Sequence, residues 1–162
     1  MKKALSVTIL LVVLMLSLCS CLETNSTQDQ GQGSAASNTP ANSTLGDYNV
    51  IIDSCRLATD YEGKPIVIVK YIFTNNDDDP ACFSFAIDDA VFQNGIGLND
   101  CYFADESAKY SSDNQMKEIK KGATLSVEVA YELNDSTTDI EVEVSELISF
   151  DDKKITKTFS IG

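Results

Sequence analysis

Between Thr124 and Leu133 the chain reads TLSVEVAYEL, and apolar and polar side chains alternate without a break. Leu125, Val127, Val129, Tyr131 and Leu133 fall on one side; Ser126, Glu128, Ala130 and Glu132 fall on the other. A period of two belongs to an extended strand, whose successive side chains point to opposite faces. The run predicts an antiparallel strand with one buried and one solvated face. Ile140, Val142 and Val144 repeat the pattern against Glu141 and Glu143. Strict alternation then brings Glu146 inward beside Ile148 and Phe150. A bulge near Ser145–Glu146 is expected to turn that carboxylate outward.

Other stretches obey the same period. Tyr48 to Ile52 opens a strand expected to reach Leu57, and Ile66 to Thr74 is almost continuously apolar and β-branched apart from Lys70, as suits a central strand. Gly63 and Pro65 punctuate the turn between them, and NNDDDP at 75–80 reads as a loop. Phe83, Phe85 and Ile87 alternate with Ser84, Ala86 and Asp88, which predicts a further strand. Asn94–Gly95 predicts a tight hairpin, because both residues tolerate positive φ. Residues 104–115 are polar and read as a long loop, with a short helical turn as the alternative. Ile155 to Ile161 forms a last strand. About seven to eight short strands over residues 47–162 predict an all-β fold, an antiparallel β-sandwich with a barrel as the alternative.

Several phrases resemble one family: DYEGKP at Asp60, FTNN at Phe73, FQNG at Phe92, DNQMKEIKKGAT at Asp113 and VSELISFDDKKITKTF at Val144. The family is an uncharacterised group of Gram-positive cell-surface lipoproteins with an immunoglobulin-like, telokin-like domain of unknown function. The resemblance covers most of Tyr48 to Ile161. It implies an immunoglobulin-like sandwich behind a lipid anchor and tether. It implies no activity, and it offers no catalytic residues to carry over.

The first 46 residues have a different character. Lys2–Lys3 precede an apolar run, Ala4 to Leu18, that as a helix would rise only about 22 Å against a hydrocarbon core of roughly 30 Å. An export signal over residues 1–20 is expected in preference to a permanent anchor helix. Leu18–Cys19–Ser20–Cys21 resembles a lipoprotein processing site, with Cys at its second position a mild departure. Modification at Cys19 would leave Leu18 before the cut, where a small residue is expected, so Cys21 is the lipid-attachment candidate. Its thiol can form the thioether to diacylglycerol, and two acyl chains give a stable membrane anchor. The alternative is a pair of incidental cysteines in an apolar run. Residues 22–46 are rich in Ser, Thr, Asn, Gln and Gly and read as a disordered tether averaging about 25–30 Å end to end.

The chemical inventory is thin. With 25 acidic against 12 basic residues the net charge is −13, and no basic stripe offers a nucleic-acid surface. Histidine is absent, which removes Ser-His-Asp and Cys-His catalysis and the commonest zinc ligand. Glu141 with Glu143 and Glu128 with Glu132 are possible carboxylate pairs for glycoside hydrolysis, but alternation alone predicts them on solvated faces, with no aromatic cleft beside them. Asp77–Asp78–Asp79, Asp88–Asp89 and Asp151–Asp152 are calcium candidates without EF-hand spacing, and read better as acidic turns. Cys55, Cys82 and Cys101 form an odd set, so at most one disulfide joins them, with free buried thiols as the alternative. Alternation with Phe83 and Phe85 points Cys82 away from the core.

No catalytic, cofactor-binding or metal residue is expected. The expected role is a binding or scaffolding module on the outer face of the cell membrane, anchored through Cys21. An unknown envelope protein or ligand would dock on sheet faces, edges, or the 75–80 and 104–115 loops. A small-ligand or calcium-binding accessory of an envelope system is the alternative, and a hydrolase stands behind it.

Overall fold

A computed structural model describes residues 44–162. They form an immunoglobulin-like β-sandwich of two antiparallel four-stranded sheets. The first sheet has the order β1-β2-β3-β6, from Thr44–Leu45, Tyr48–Thr59, Pro65–Asn75 and Thr124–Glu132. The second has the order β5-β4-β7-β8, from Ile96–Gly97, Ile87–Gln93, Ile140–Glu146 and Lys154–Phe159. Strand β1, Thr44–Leu45, lies ahead of Asp47. Leu45, the one large apolar residue near the end of the polar stretch, is buried in the core, and Gly46 turns the chain with φ +53°.

β3 is central, paired to β2 on one side and β6 on the other. Its apolar run is explained by burial of both faces. Val67, Val69, Tyr71 and Phe73 point between the sheets, while Ile66 and Ile68 point the other way and are equally buried. β2 needs a bulge to stay in phase with β3. Ile52 pairs with Tyr71 but Ser54 pairs with Lys70, so Asp53 is the extra residue. The bulge inverts the alternation, which sends Arg56 to the outer face instead of the core.

The Asn94–Gly95 hairpin forms as expected, with φ of +53° and +75° and Gln93 opposite Ile96. Its flanking Gln93 is buried and fully used. Its amide NH₂ donates to the carbonyls of Asp135 and Thr138, and its oxygen accepts from the N–H groups of Asn134 and Asp135. One core side chain thereby fixes the β6–β7 turn.

Three local expectations are corrected. Phe83 to Ala86 is a single helical turn, α1, and not a strand; the Ala86 N–H donates to the Cys82 carbonyl at 3.1 Å. Phe83 and Ala86 are both buried at helical spacing while Phe85 is exposed, and Phe83 packs its ring 5.1 Å from Tyr71 and 5.8 Å from Phe73. Cys82, just ahead of the turn, is buried rather than outward. No bulge interrupts β7: it pairs regularly to Glu146, opposite Ile87, and stops there. Glu146 lies against Gly46, where a side chain would collide with its carboxylate, and Ile148 and Phe150 are exposed beyond the strand end.

Candidate functional site

The outer face of the first sheet is not solvated along its whole length. A strap leaves the second sheet after β5 and crosses it. At one side Cys101 N–H donates to the Ala130 carbonyl (2.7 Å) and Glu132 N–H donates to Asn99 (2.8 Å), so the strap begins as an added piece beside β6. At the other, Asp105 N–H donates to Thr59 and Tyr61 N–H donates to Phe103, which joins it to the end of β2. Between these points Cys101, Ala104, Ala108 and Tyr110 cover Ile66, Ile68 and Ala130 as a second, smaller core. Ala130 is thus buried, although β6 alternation placed it on a solvated face.

Polar side chains pin the strap. The Arg56 guanidinium forks onto Glu128 (2.6 and 3.0 Å) and also donates to the Ala108 carbonyl (3.2 Å). Gln115 donates to the Glu128 carbonyl (2.7 Å) and to the Tyr110 hydroxyl (3.1 Å). A 3₁₀ turn, Glu106–Ala108, is capped by the Asp105 carboxylate on Ser107 N–H, and hydrogen bonding from the Ser107 side chain, with this N–H second, holds Asp105 below the usual carboxylate range.

Where the strap meets the β2–β3 turn it leaves an open cleft of about 660 Å³. Tyr61 comes from the turn; Tyr102, Phe103 and Tyr110 come from the strap, followed by Ser111, Ser112 and Asp113. Tyr61, Tyr102 and Phe103 are 68%, 75% and 70% exposed, unusual for three large rings in one place. Tyr61 and Phe103 stand edge to face, centroids 6.2 Å apart at 89°. The Asp60 carboxylate accepts from the N–H groups of Glu62 and Lys64 (both 2.8 Å), which locks the turn that carries Tyr61. The Glu62 charge, in turn, pushes the Tyr61 phenol upward. Sequence reasoning named 104–115 as a docking loop, yet missed the cleft. Its rings are far apart in the chain, and only the strap's crossing unites them.

The carboxylate pairs are not brought together with the cleft. Glu141 is exposed on the second sheet, Glu143 accepts from Lys154 (2.8 Å), Glu128 is committed to Arg56, and Glu132 is exposed. Among the described residues, no group of three or more Cys, Asp or Glu side chains converges as a metal ion would require. The Asp77–Asp79 loop is organised by buried Asn75, whose side chain bonds Asp79 and Ile119 carbonyls and the Asp77 N–H. Asp88–Asp89 is not a turn: both residues lie in β4. Asp88 is exposed, whereas Asp89 faces the interior, where it accepts from the Tyr131 hydroxyl. That hydroxyl lies 3.3 Å from the Tyr71 hydroxyl. Burial, opposed by the Tyr131 hydrogen bond, raises the Asp89 carboxyl to about 6, and burial raises both phenols well above their ordinary value. Cys55, Cys82 and Cys101 are free thiols, and burial pushes Cys55 upward, which keeps it protonated. Cys19 and Cys21 lie outside the described residues.

Fold and surface together define a small antiparallel β-sandwich that carries an exposed aromatic cleft on a strapped sheet face. The chain belongs to the DUF5067 family, a domain of unknown function, whose model matches residues 23–146. Among solved structures it is similar to a protein from Staphylococcus aureus described as a candidate lipoprotein, with 22% identity, a TM-score of 0.55, and 71% of this chain and 84% of that one covered. It is also similar to a protein from Enterococcus faecalis, at 18% identity and a TM-score of 0.54, covering 74% of this chain and 88% of that one. Both share its fold. Among curated proteins none matches this chain.

Proposed function

We propose that this chain is a lipoprotein of the bacterial envelope, anchored through Cys21 on the outer face of the membrane, and that its sandwich is a non-catalytic recognition module using the aromatic cleft. The observation that carries this reading is the separation of two poles. The described chain starts at Thr44, beside Tyr48 and Asn49 at the beginning of β2, whereas the cleft begins at Tyr61, just past its end. Twelve residues of strand separate them, about 35–40 Å of extended chain. With an anchor at Cys21, the chain would enter the sandwich by way of Thr44, at the opposite end of β2 from the cleft. Three exposed rings on a locked turn and a pinned strap supply contact area at low ordering cost. The likeness to the staphylococcal protein, so described, supports the anchor reading.

Two measurements test the two halves. Intact mass of the membrane-extracted protein should show a diacyl addition that Cys21→Ser abolishes and Cys19→Ser leaves in place. A photo-crosslinking side chain at Tyr102 on living cells should capture a reproducible partner, and the same group at Glu141 on the second sheet should not. Equal or absent capture at the two positions rejects the cleft as the recognition surface.

A further inference from the structure

The cleft's charge and ring geometry narrow what it can take. Of its eight lining residues, four are aromatic, one is the carboxylate-bearing Asp113, and none is Lys or Arg. The nearest charges extend the same sign. Glu62 accepts from the Tyr61 hydroxyl (3.3 Å), and Asp100 accepts from the Tyr102 hydroxyl (3.3 Å). Lys64, in the turn that carries Tyr61, is engaged by Glu62 at 2.5 Å, and Lys109 in the strap does not line the cleft. The upward push on the Tyr61 phenol is the same negative field felt by a neighbouring group. Around all of this stands a chain of net charge −13.

Ring geometry separates two ligand shapes. A flat pyranose stacks best on a single platform or on coplanar rings. Tyr61 and Phe103 meet at 89°, so they make a corner and not a platform. A corner of π faces and edges suits a compact, rounded group, and aromatic faces attract cations through the ring quadrupole. No basic side chain lines the cleft to repel such a group, and Asp113 can offset its charge.

We propose that the cleft recognises an alkylammonium group, presented as a lysine side chain on an extended segment of a partner protein. The ammonium packs at the corner of Tyr61 and Phe103, its methylene stem runs along Tyr102 and Tyr110, and Asp113 provides the counter-charge. This inference rests on the reading of the cleft as a recognition surface, and the test separates failure of the one from failure of the other.

The full chain in nonionic micelles is titrated calorimetrically with acetyl-Lys-Lys-Lys-amide, with the same peptide acetylated on every Nε, and with cellotetraose. The lysine peptide should bind, and Nε-acetylation should weaken it about tenfold or more, since it removes the charge and keeps the stem. Phe103→Ala and Tyr61→Ala should each weaken it several-fold. Both side chains are exposed, so the fold should tolerate their loss, and a circular dichroism spectrum checks this. Asp113→Asn should weaken it about two- to threefold at low salt, with the difference closing as salt rises. Equal affinity for the two peptides overturns the proposal. So does a loss no greater for Phe103→Ala than for Glu141→Gln, because the attraction would then be net charge alone. Phe103-dependent binding of cellotetraose without lysine binding overturns the cationic assignment and leaves the recognition surface standing. No Phe103-dependent binding by any probe, together with no capture at Tyr102, overturns both.

Discussion

β6 and β7 look alike in the sequence and end up in different surroundings. Each alternates apolar and Glu-bearing positions, and each turns its apolar side toward the other sheet. On β7 the outer face is open: Glu141 is exposed and Glu143 reaches no further than Lys154 on the adjacent strand. On β6 the outer face lies partly under the strap, where Ala130 is fully buried and Glu128 is clasped by Arg56. The same period therefore produces a solvated sheet in one case and the floor of a strapped, covered surface in the other. The difference is decided by a segment that neither strand contains.

Burial on the covered face is the contrast most easily broken. Ile68 is fully buried beneath Cys101, Ala108 and Tyr110, on the side away from the main core. Ile68→Ala should cost about 2–4 kcal/mol, the range for a buried aliphatic side chain whose cavity cannot collapse. Glu141→Ala on the open sheet should leave stability unchanged. Urea unfolding reads both: the midpoint should fall for Ile68→Ala with an unchanged slope. An equally small effect at both positions would mean that the strap does not cover the sheet in solution. Because the strap also carries Tyr102 and Phe103, a loosened floor should weaken the proposed lysine-peptide binding at the cleft as well.

β4 carries the next contrast within two adjacent residues. Asp88 is exposed on the open face, and Asp89 points between the sheets onto Tyr131. The Asp89 carboxyl titrates at about 6 in the folded domain against an ordinary value of 3.8. Below pH 4 both folded and unfolded chains hold this proton, and its contribution to stability is fully present. As pH rises toward 6 the unfolded chain releases the proton before the folded one does, so stability falls, and the loss is complete above the folded value. The span corresponds to about 2–3 kcal/mol. Asp89→Asn keeps an acceptor for Tyr131 and removes the charge. It should raise stability at pH 7.5 by about 1–3 kcal/mol while changing little at pH 4. Parallel pH profiles for wild type and Asp89→Asn would dismiss a buried charge at this position. Asp135, held at about 2 by the N–H groups of Thr137 and Thr138, acts in the opposite direction at lower pH, and the wild-type-minus-variant difference cancels it.

What could be read from the sequence follows from how local the deciding interaction is. Period-two runs such as Leu125–Leu133 and the Asn94–Gly95 turn carry their own instructions, so the strands, the hairpin and the sandwich class were legible. Phe83–Ala86 fits either period over four residues, and only the ring contacts with Tyr71 and Phe73 select the helical turn. The bulge at Asp53 was invisible because one extra residue leaves composition unchanged, although Arg56 in an apolar strand hinted at a phase change. The bulge expected at Glu146 is unnecessary, because β7 ends there and Gly46 leaves room for the carboxylate. Burial of Ile66 and Ile68 was implicit in the unbroken apolar run of β3, but not what would cover them. The cleft was least legible of all, since its rings come from 61 and from 102–110 and meet only through the strap.

The smallest contrast lies between the two Glu–cation pairs, and it bears most directly on the cleft. Glu128 meets Arg56 through two hydrogen bonds beneath the strap, and the same guanidinium holds the Ala108 carbonyl. Glu143 meets Lys154 through one bond at 2.8 Å on the open face. A forked pair with a third bond is geometrically fixed, whereas a single exposed lysine contact recovers little after its side-chain entropy is lost. Because the Arg56 side chain is 39% exposed, solvent screening keeps the first pair modest. Glu128→Gln should cost about 0.5–1 kcal/mol, and Glu143→Gln should leave the unfolding midpoint unmoved. Amide hydrogen exchange should separate them more clearly than stability does. Losing the Glu128 charge frees Arg56 from its fork, so exchange at Ala108 and Lys109 should accelerate in Glu128→Gln and stay at the wild-type rate in Glu143→Gln. Unchanged exchange at both amides would show that the strap is held by the apolar floor of Ile66, Ile68 and Ala130 alone, with Arg56 a bystander.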